Sequence, residues 1–298
     1  MKGPGRLALA IARSQLPLLL RDRRTAAGTG AYFDLITPDY LRDMGGSFHL
    51  GLFGNGTKTL AEGLDALTDL VADLACVTRQ SSVLDLGCGV GQPAIRIASR
   101  YRCRVTGINI SAGQIRHGRE LVAMAGLSAR VDLRHGDALA LDVRDESFDP
   151  VLCLETATNI CVTPQPRDRL VGEIWRVLRP GGHAGFCDLV FTGTPTRAED
   201  KAVPALLYHN ASEAVADWPA LFASHGFAVT GYRDLHRQTL ATWDHVRGRL
   251  ASGEACRRYG PAVGRIVLRQ FDAMVPVIER LGAYPAFAAR KPVTWEAP

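Results

Sequence analysis

The apolar residues of the chain follow two rhythms, one typical of helices and one typical of strands. Over residues 57–76 leucine and valine recur every three or four positions, which predicts a helix. After residue 80, short runs rich in valine, isoleucine and leucine alternate with helical segments, and this alternation indicates an α/β fold with a parallel sheet. The predicted strands are 82–86, 104–108, 131–135, 148–154, 183–190, 227–235 and 283–289. The predicted helices among them are 94–101, 114–125, 167–178 and 261–281.

The first 56 residues do not share this alternation. Residues 1–30 are rich in leucine, are interrupted by Pro17 and end in the glycine-containing run 25–30, so a helical arm is expected. Its apolar surface is large for a free tail. We expect it to pack either on its own domain or on a neighbouring subunit of a homo-oligomer. Residues 31–56 are expected to form aromatic-rich turns.

The composition is that of a globular protein. Hydrophobic residues make up 47% and charged residues 22% of the 298 positions, a length that suits one large domain or one domain with an appendage. No apolar stretch approaches the roughly 20 residues of a membrane span. No signal peptide is recognised at residues 1–30, so a cytoplasmic protein without a membrane span is expected.

Charge and cysteine content narrow the classes of partner. The net charge of +5 comes from basic residues spread along the chain, whereas nucleic-acid-binding proteins concentrate them on one face, so no nucleic-acid partner is expected. A preference for an anionic ligand stays open. The seven cysteines are odd in number and include no C-x-x-C pair, which argues against a disulfide framework and against a metal site.

The most specific local pattern is a glycine-rich turn at residues 83–91. An apolar strand runs directly into D-x-G-x-G-x-G, and a helix follows. Glycines allow a tight turn and close approach of a ligand, and the helix start offers unpaired N–H groups. Dinucleotide-binding oxidoreductases instead carry G-x-G-x-x-G. Three features disfavour a dinucleotide site. They are the G-x-G-x-G spacing of this chain, the acidic Asp85 two residues before the first glycine, and the long segment that precedes the turn.

The ordered motifs resemble those of the class I S-adenosylmethionine (SAM) methyltransferases. The matching segments, which span about residues 30–290, are 83–91, 105–111, 136–138, 147–155 and 178–182. Within that superfamily, residues 32–34 and 48–53 are similar to the sterol, tocopherol and cyclopropane-forming branch and to methyltransferases of terpenoid and antibiotic pathways. The resemblance implies a Rossmann-like, seven-stranded, mostly parallel sheet flanked by helices. It also implies a methyltransferase domain over 31–298, with a helical substrate lid at about 191–225.

The resemblance implies SAM as cofactor, S-adenosylhomocysteine as product, and a role for each motif. The glycine turn would line the amino-acid end of SAM with Gly87, Cys88, Gly89 and Gly91, while Asp85 orders the turn and binds the ammonium group. The adenosine end would be held by Asn109, Gln114, Asp137 and Ala138. Tyr32 and His49 would close over the methionine end. Many relatives carry an acid where this chain has Asn109.

Each of these polar residues also has a structural interpretation. Asp85 or Asp137 would then cap a helix or turn, Asn109 would be a turn residue, and His49 would be a packed histidine.

The exit of the strand at 148–154 would select the chemistry. Glu155 lies at the mouth of the expected acceptor pocket, and Asp188, after the next strand, is a second carboxylate; His49 completes the catalytic candidates. Relatives that methylate sugar hydroxyls often have a histidine where this chain has Asn159, and an amide cannot act as a base. A cation formed on an alkene needs a carboxylate or an aromatic face. Alternatively, Glu155 holds the backbone of the cofactor loop.

The lid region supplies the candidates for substrate binding. They are Phe191, Tyr208, His209, Trp218 and, from the strand exit, Asn159, with Phe222 as a further aromatic. Met44, Phe48 and Phe53 would form the opposite wall. The same aromatic spacing is also typical of a helix packed in the core.

We therefore predict a methyltransferase acting on a small, largely apolar specialised metabolite. C-methylation of an isoprenoid alkene, with or without rearrangement or cyclisation of the cation, is the favoured reaction. O- or N-methylation of a phenol, sugar or amine is the first alternative, and a SAM-fold cyclase or scaffold without methyl transfer is the second.

Overall fold

The computed structural model describes residues 25–54, 56–57, 59–160, 164–193, 196–199, 217–254, 256–257 and 260–293. Most of the expected arm, and the part of the expected lid that contains Tyr208 and His209, lie outside these residues. Where the description begins, helix α1 runs over Ala26–Asp43. Residues 26–30, expected to end the arm, and residues 31–43, expected to be turns, are therefore helical.

The remaining elements follow the predicted alternation closely. They are α2 (Leu60–Leu74), β1 (Ser82–Leu86), α3 (Gln92–Tyr101), β2 (Arg104–Asn109), α4 (Ala112–Met124), β3 (Val131–His135), β4 (Val151–Leu154), α5 (Ala157–Ile160), α6 (Pro164–Val177), β5 (His183–Cys187) and β6 (Val190–Phe191). The C-terminal part contains α7 (Trp218–Ser224), β7 (Ala228–Asp234), α8 (His236–Thr239), α9 (Ala241–Arg249), a π-helical segment at Leu250–Glu254, α10 (Pro261–Leu281), β8 (Gly282–Ala283) and β9 (Pro285–Arg290).

Seven strands form one sheet in the order β3-β2-β1-β4-β5-β9-β7. The five strands β1–β5 pair in parallel, and β9 runs antiparallel to its neighbours β5 and β7. This arrangement confirms the predicted Rossmann-like sheet. The predicted strand 183–190 is divided, because β6 leaves the sheet and pairs with β8 instead. Parallel strands bring their carboxyl ends to one edge, so the segments after β1, β2, β4 and β5 meet there.

Helices cover both faces of the sheet. In β1, Val83 belongs to the apolar cluster that includes Leu67 and Val71 of α2. The alternate residues Leu84 and Leu86 belong to the second cluster, on the opposite face. All four residues Val83–Leu86 are buried, as expected for a strand in the middle of the sheet.

Helix α1 packs against the start of α4. A Cβ added at Gly30 would lie 2.7 Å from the carbonyl oxygen of Ile110, so this contact needs the small residue. Asp34 accepts hydrogen bonds from the Gly113 N–H at 2.8 Å and from the Ser111 hydroxyl. The contact places Tyr32 and Phe33 beside the carboxyl edge of the sheet. Among the helices in the described ranges, none has the length and apolar character needed to cross a membrane.

Candidate active site

The glycine-rich turn after β1 is built from left-handed glycines. Gly87, Gly89 and Gly91 have φ values of 70°, 56° and 80°. The N–H groups of Gly87 and Cys88 donate to the carbonyl of Ile108, at 2.8 and 3.2 Å. These two N–H donors are therefore used within the protein, and the expected place of Gly87 and Cys88 along the amino-acid end of SAM stays a prediction. Gly89 lies beside Phe48, and a Cβ added at Gly89 would be 3.4 Å from that ring.

Asp85 carries a buried carboxylate oxygen without a partner. The side chain is only 2% exposed, and among the described residues no group donates a hydrogen bond to Oδ2. Burial raises the pKa of Asp85 to about 7. A buried carboxylate is costly unless a cation pairs with it. The ammonium group of SAM is such a cation, so Asp85 fits the role that the resemblance implies.

A chain of side-chain amides leads from β2 to α1. Asn109 donates from Nδ2 to Oε1 of Gln114 at 2.6 Å, and Gln114 donates from Nε2 to the Thr37 hydroxyl at 2.8 Å. Both amides are buried. The carbonyl oxygen of Asn109 is the atom of this amide that can accept a hydrogen bond. That is the chemistry needed to receive a ribose hydroxyl.

The turn after β3 supplies Asp137 and Ala138. One carboxylate oxygen of Asp137 accepts the N–H of Leu139 at 2.9 Å, and the carbonyl of Asp137 accepts the N–H of Ala140 at 3.1 Å. The turn is tied to β2, because the Gly136 N–H donates to the carbonyl of Asn109 at 3.0 Å. Asp137 thus shapes a turn, and its role toward adenine stays a prediction.

Glu155, directly after β4, is held by two donors from distant parts of the chain. Its Oε1 accepts the backbone N–H of Leu50 and, at 2.5 Å, the hydroxyl of Tyr284. Its backbone lies in the left-handed region, at φ 46°. Burial raises the pKa of Glu155 to about 8; the charge of Asp188 adds to that effect, and the two hydrogen bonds oppose it.

Asp188 and Asn159 support the turn that carries Glu155. The carboxylate of Asp188 accepts the Thr158 N–H at 3.0 Å and the Thr158 hydroxyl at 2.5 Å. Asp188 is fully buried, so the structure gives it a positioning role in place of the expected second catalytic carboxylate. Asn159 donates from Nδ2 to the carbonyl of Glu155 at 3.0 Å. The two side chains therefore fix the turn between β4 and α5.

His49 is a packed, neutral histidine. Its Nδ1 donates to the carbonyl of Leu50 at 2.8 Å, and its Nε2 accepts from the Thr68 hydroxyl at 3.1 Å. Burial lowers the pKa of His49 to about 4. Both ring nitrogens are occupied, so the structural interpretation replaces the catalytic one. Tyr32 is buried in α1 against the ring of Phe33, which contacts Phe48.

The expected aromatic lining of the lid lies in the core. Trp218 is 1% exposed and packs against Phe186, with ring centroids 5.0 Å apart, and Phe222 packs against the same ring. Phe191 is equally buried, in β6, within the cluster that includes Trp243 and Phe271. For Phe191, Trp218 and Phe222 the core interpretation of the spacing is therefore correct.

Tyr284 is the site residue that the sequence did not reveal. It is separated from Glu155 by 129 positions, and only the antiparallel return of β9 brings the two together. The available signal was an aromatic residue placed between the last long helix and the last strand. As for metals, the described ranges contain no group of three or more His, Cys, Asp or Glu side chains arranged to hold one.

Comparison with known proteins agrees with this geometry. Residues 83–182 match the family described as "Methyltransferase domain". The chain is 30% identical over 226 residues to methyltransferase GfsG of Streptomyces halstedii, covering 75% of this chain and 72% of that protein. It is 29% identical over 270 residues to 27-O-demethylrifamycin SV methyltransferase of Amycolatopsis mediterranei, and the match covers 89% of this chain and 96% of that protein.

A solved structure extends the likeness to the whole fold. The crystal structure of the [4+2]-cyclase SpnF has a TM-score of 0.74 and 28% identity, and the match covers 91% of this chain and 97% of that one. These similarities agree with the order of the strands, the left-handed glycine turn and the unpartnered carboxylate oxygen of Asp85. The chain belongs to the class I SAM-dependent methyltransferases, in the branch that contains sterol and natural-product methyltransferases.

Proposed function

We propose that this methyltransferase transfers the methyl group to an alkene carbon of a small, largely apolar metabolite, and that Glu155 carries the chemistry. The observation that supports the proposal most is the half-buried carboxylate of Glu155 at the exit of β4. The resemblance places Asn159 where many relatives that methylate sugar hydroxyls have a histidine, and His49 has both ring nitrogens occupied. Within the described ranges Glu155 is therefore the group best placed for proton transfer.

The chemistry of an alkene acceptor suits such a site. SAM supplies an electrophilic methyl group on a sulfonium ion. The π electrons of the alkene would form the new carbon–carbon bond while the methyl–sulfur bond breaks and its electron pair stays on sulfur, giving S-adenosylhomocysteine, and a cation would develop on the neighbouring carbon. A carboxylate at Glu155 stabilises that cation and then accepts a proton from the adjacent carbon, which restores a double bond.

The raised pKa of Glu155 gives this role a pH dependence. With a pKa of about 8, the side chain carries a proton at lower pH and becomes a carboxylate as the pH rises. With SAM bound nearby, the positive charge of its sulfonium would lower the pKa of Glu155, since an opposite charge favours the ionised form. The rate is therefore expected to rise with pH through a value at or below about 8.

O-methylation is the second candidate. It is favoured by the likeness to 27-O-demethylrifamycin SV methyltransferase, which extends over 96% of that protein. In that case Glu155 would remove the proton of the acceptor hydroxyl. The likeness to the [4+2]-cyclase SpnF keeps cyclisation without methyl transfer as a third outcome of the test.

The experiment uses SAM labelled with carbon-13 in its methyl group. The full chain is incubated with an acyclic isoprenoid alkene, a sterol with an unsaturated side chain and a hydroxylated macrolactone, and the products are examined by NMR. The proposal predicts a labelled methyl group bonded to carbon. A label on oxygen or nitrogen would replace it with the second candidate, and an unlabelled, cyclised product would replace it with the third.

A further inference from the structure

We infer that Tyr284 is a positioning residue for methyl transfer: its hydroxyl and the Leu50 N–H together fix one oxygen of Glu155 and leave the other to face the acceptor. The inference rests on the proposed function, because it takes Glu155 as the group that carries the chemistry. Tyr284 would act through Glu155 and would not itself touch the acceptor.

The surroundings of Tyr284 hold its hydroxyl in place. The residue is fully buried between β8 and β9. Its N–H donates to the carboxylate of Asp234 at 3.0 Å, and its carbonyl accepts the N–H of Leu235 at 2.9 Å. A buried ring with both backbone groups bonded has little freedom, so the 2.5 Å contact with Oε1 of Glu155 is a fixed feature of the site.

The two oxygens of Glu155 are used unequally. The hydroxyl of Tyr284 and the N–H of Leu50 both end on Oε1, and among the described residues none donates to Oε2. An oxygen without donors keeps its full capacity to accept a proton or to face a cation. The backbone of Glu155 is left-handed, which is uncommon for a residue with a side chain, and such strained positions cluster at active sites.

Other groups near Glu155 act against its ionisation. The titratable side chains that face it within the described ranges are Asp188 and Cys187, both from the end of β5, and Tyr284. The charge of Asp188 raises the pKa of Glu155, and burial holds the pKa of Cys187 well above its usual value, so the thiol stays neutral. The Tyr284 hydroxyl opposes these effects, because it donates to the charged form.

The first test needs no acceptor. Side-chain carboxyl groups of glutamate are labelled with carbon-13 in the full chain, and the Glu155 resonance is identified by its absence in Glu155→Gln. In Tyr284→Phe, which keeps the buried ring, we expect the pKa of Glu155 to rise by at least about one unit. An unchanged titration would overturn the inference.

A matched control separates this effect from the loss of any tyrosine hydroxyl. Tyr101, at the end of α3, donates to the carboxylate of Asp73 at 2.5 Å in an exposed hydrogen bond, so Tyr101→Phe also removes a tyrosine–carboxylate hydrogen bond. We expect Tyr101→Phe to leave the Glu155 titration where it is. A shift of equal size in both variants would count against a local role for Tyr284.

The second test uses whichever acceptor of the panel is methylated. Tyr284→Phe should lower kcat at least about tenfold near neutral pH and move the rise of rate to higher pH, with SAM affinity unchanged. In the Glu155→Gln background the same substitution should add almost nothing. Full additivity would overturn the inference. Wild-type turnover in Glu155→Gln would instead show that the proposed function itself is wrong.

Discussion

Gly87 faces Thr156 so closely that a Cβ at residue 87 would lie 2.1 Å from the Thr156 hydroxyl oxygen. That hydroxyl is the donor to the carbonyls of Leu86 and Leu154, at 2.9 and 3.1 Å. Thr156 therefore ties the end of β1 to the end of β4. The glycine turn and the turn that carries Glu155 form one unit, and Gly87 is needed because of the protein's own side chain.

Gly87→Ala should disturb both halves of this unit. The added methyl group meets Thr156, and the residue has a φ of 70°, so we expect the free energy of unfolding to fall by about 2–4 kcal/mol. SAM affinity, measured by calorimetry, should fall at least about tenfold, or 1.4 kcal/mol. Gly126→Ala is the control, because Gly126 has the same φ and no atom within 4 Å of the added Cβ. Equal losses in the two variants would mean that backbone strain, not Thr156, is responsible.

Asp85 should make SAM binding depend on pH. With a pKa of about 7, its carboxyl must lose a proton before it can pair with the ammonium group. Between pH 5 and 7, SAM affinity should therefore rise by up to about tenfold per pH unit, with release of about one proton per SAM bound. Calorimetry in buffers of different ionisation enthalpy measures both quantities. Affinity that is flat over this range would contradict the placement of the ammonium group at Asp85.

Asp85→Asn should stabilise the ligand-free protein at alkaline pH and weaken the binding of SAM. The folded-state pKa is raised, so the protonated carboxyl is favoured by folding, and stability falls as the pH rises from about 4 to about 7. Over that range, each pH unit lowers the free energy of unfolding by about 1.4 kcal/mol. Asparagine does not titrate, so the variant lacks this contribution. Urea unfolding without SAM should therefore show that the free energy of unfolding falls less between pH 5 and pH 8 in the variant than in the wild type. An identical loss in both proteins would mean that Asp85 is ionised when folded.

Much of the scaffold could be predicted because it depends on local patterns. The runs of valine, isoleucine and leucine located β1–β5, and the D-x-G-x-G-x-G turn located Asp85 at the sheet edge. Helix α1 was missed because Gly28, Gly30 and Pro38 are poor helix formers, and packing on α4 overrides their propensity. Phe191, Trp218 and Phe222 were assigned to the lid because periodicity does not distinguish a core face from a pocket wall.

The contacts that position Glu155 depend on long-range geometry. Tyr284 and Leu50 are distant from Glu155 in sequence. Tyr284 belongs to no quoted motif, and the segment 48–53 that contains Leu50 does not reveal that its backbone N–H bonds Glu155. The Gly87 N–H bonds the carbonyl of Ile108, and the Thr158 N–H bonds the carboxylate of Asp188. Both bonds form because the ends of neighbouring strands lie side by side. Such pairings involve backbone groups, which residue identity does not specify.

Two substitutions of Asp188 separate its hydrogen bonds to Thr158 from the effect of its negative charge on Glu155. Asp188→Ala leaves the N–H and hydroxyl of Thr158 without their acceptor, and we expect the free energy of unfolding to fall by about 2–4 kcal/mol. Asp188→Asn can still bond Thr158 and should cost less than about 1 kcal/mol. Because it removes a nearby negative charge, it should also lower the pKa of Glu155 and move the rise of rate to lower pH. Urea unfolding and the pH–rate profile measure the two effects, and a profile shifted to higher pH would contradict this arrangement.

The most direct test of the account is single-turnover methyl transfer by Glu155→Gln, beside Asn159→Ala and the wild type. Glutamine keeps the shape of the side chain and removes its charge and basicity, so the rate should fall at least about 100-fold, or 2.7 kcal/mol, with SAM affinity nearly intact. Asn159 donates to the carbonyl of Glu155, and an amide can position the turn but cannot act as a base, so Asn159→Ala should cost less than about tenfold. A slow Glu155→Gln that still binds SAM is the predicted result, whereas transfer at the wild-type rate would show that this carboxylate does not carry the reaction.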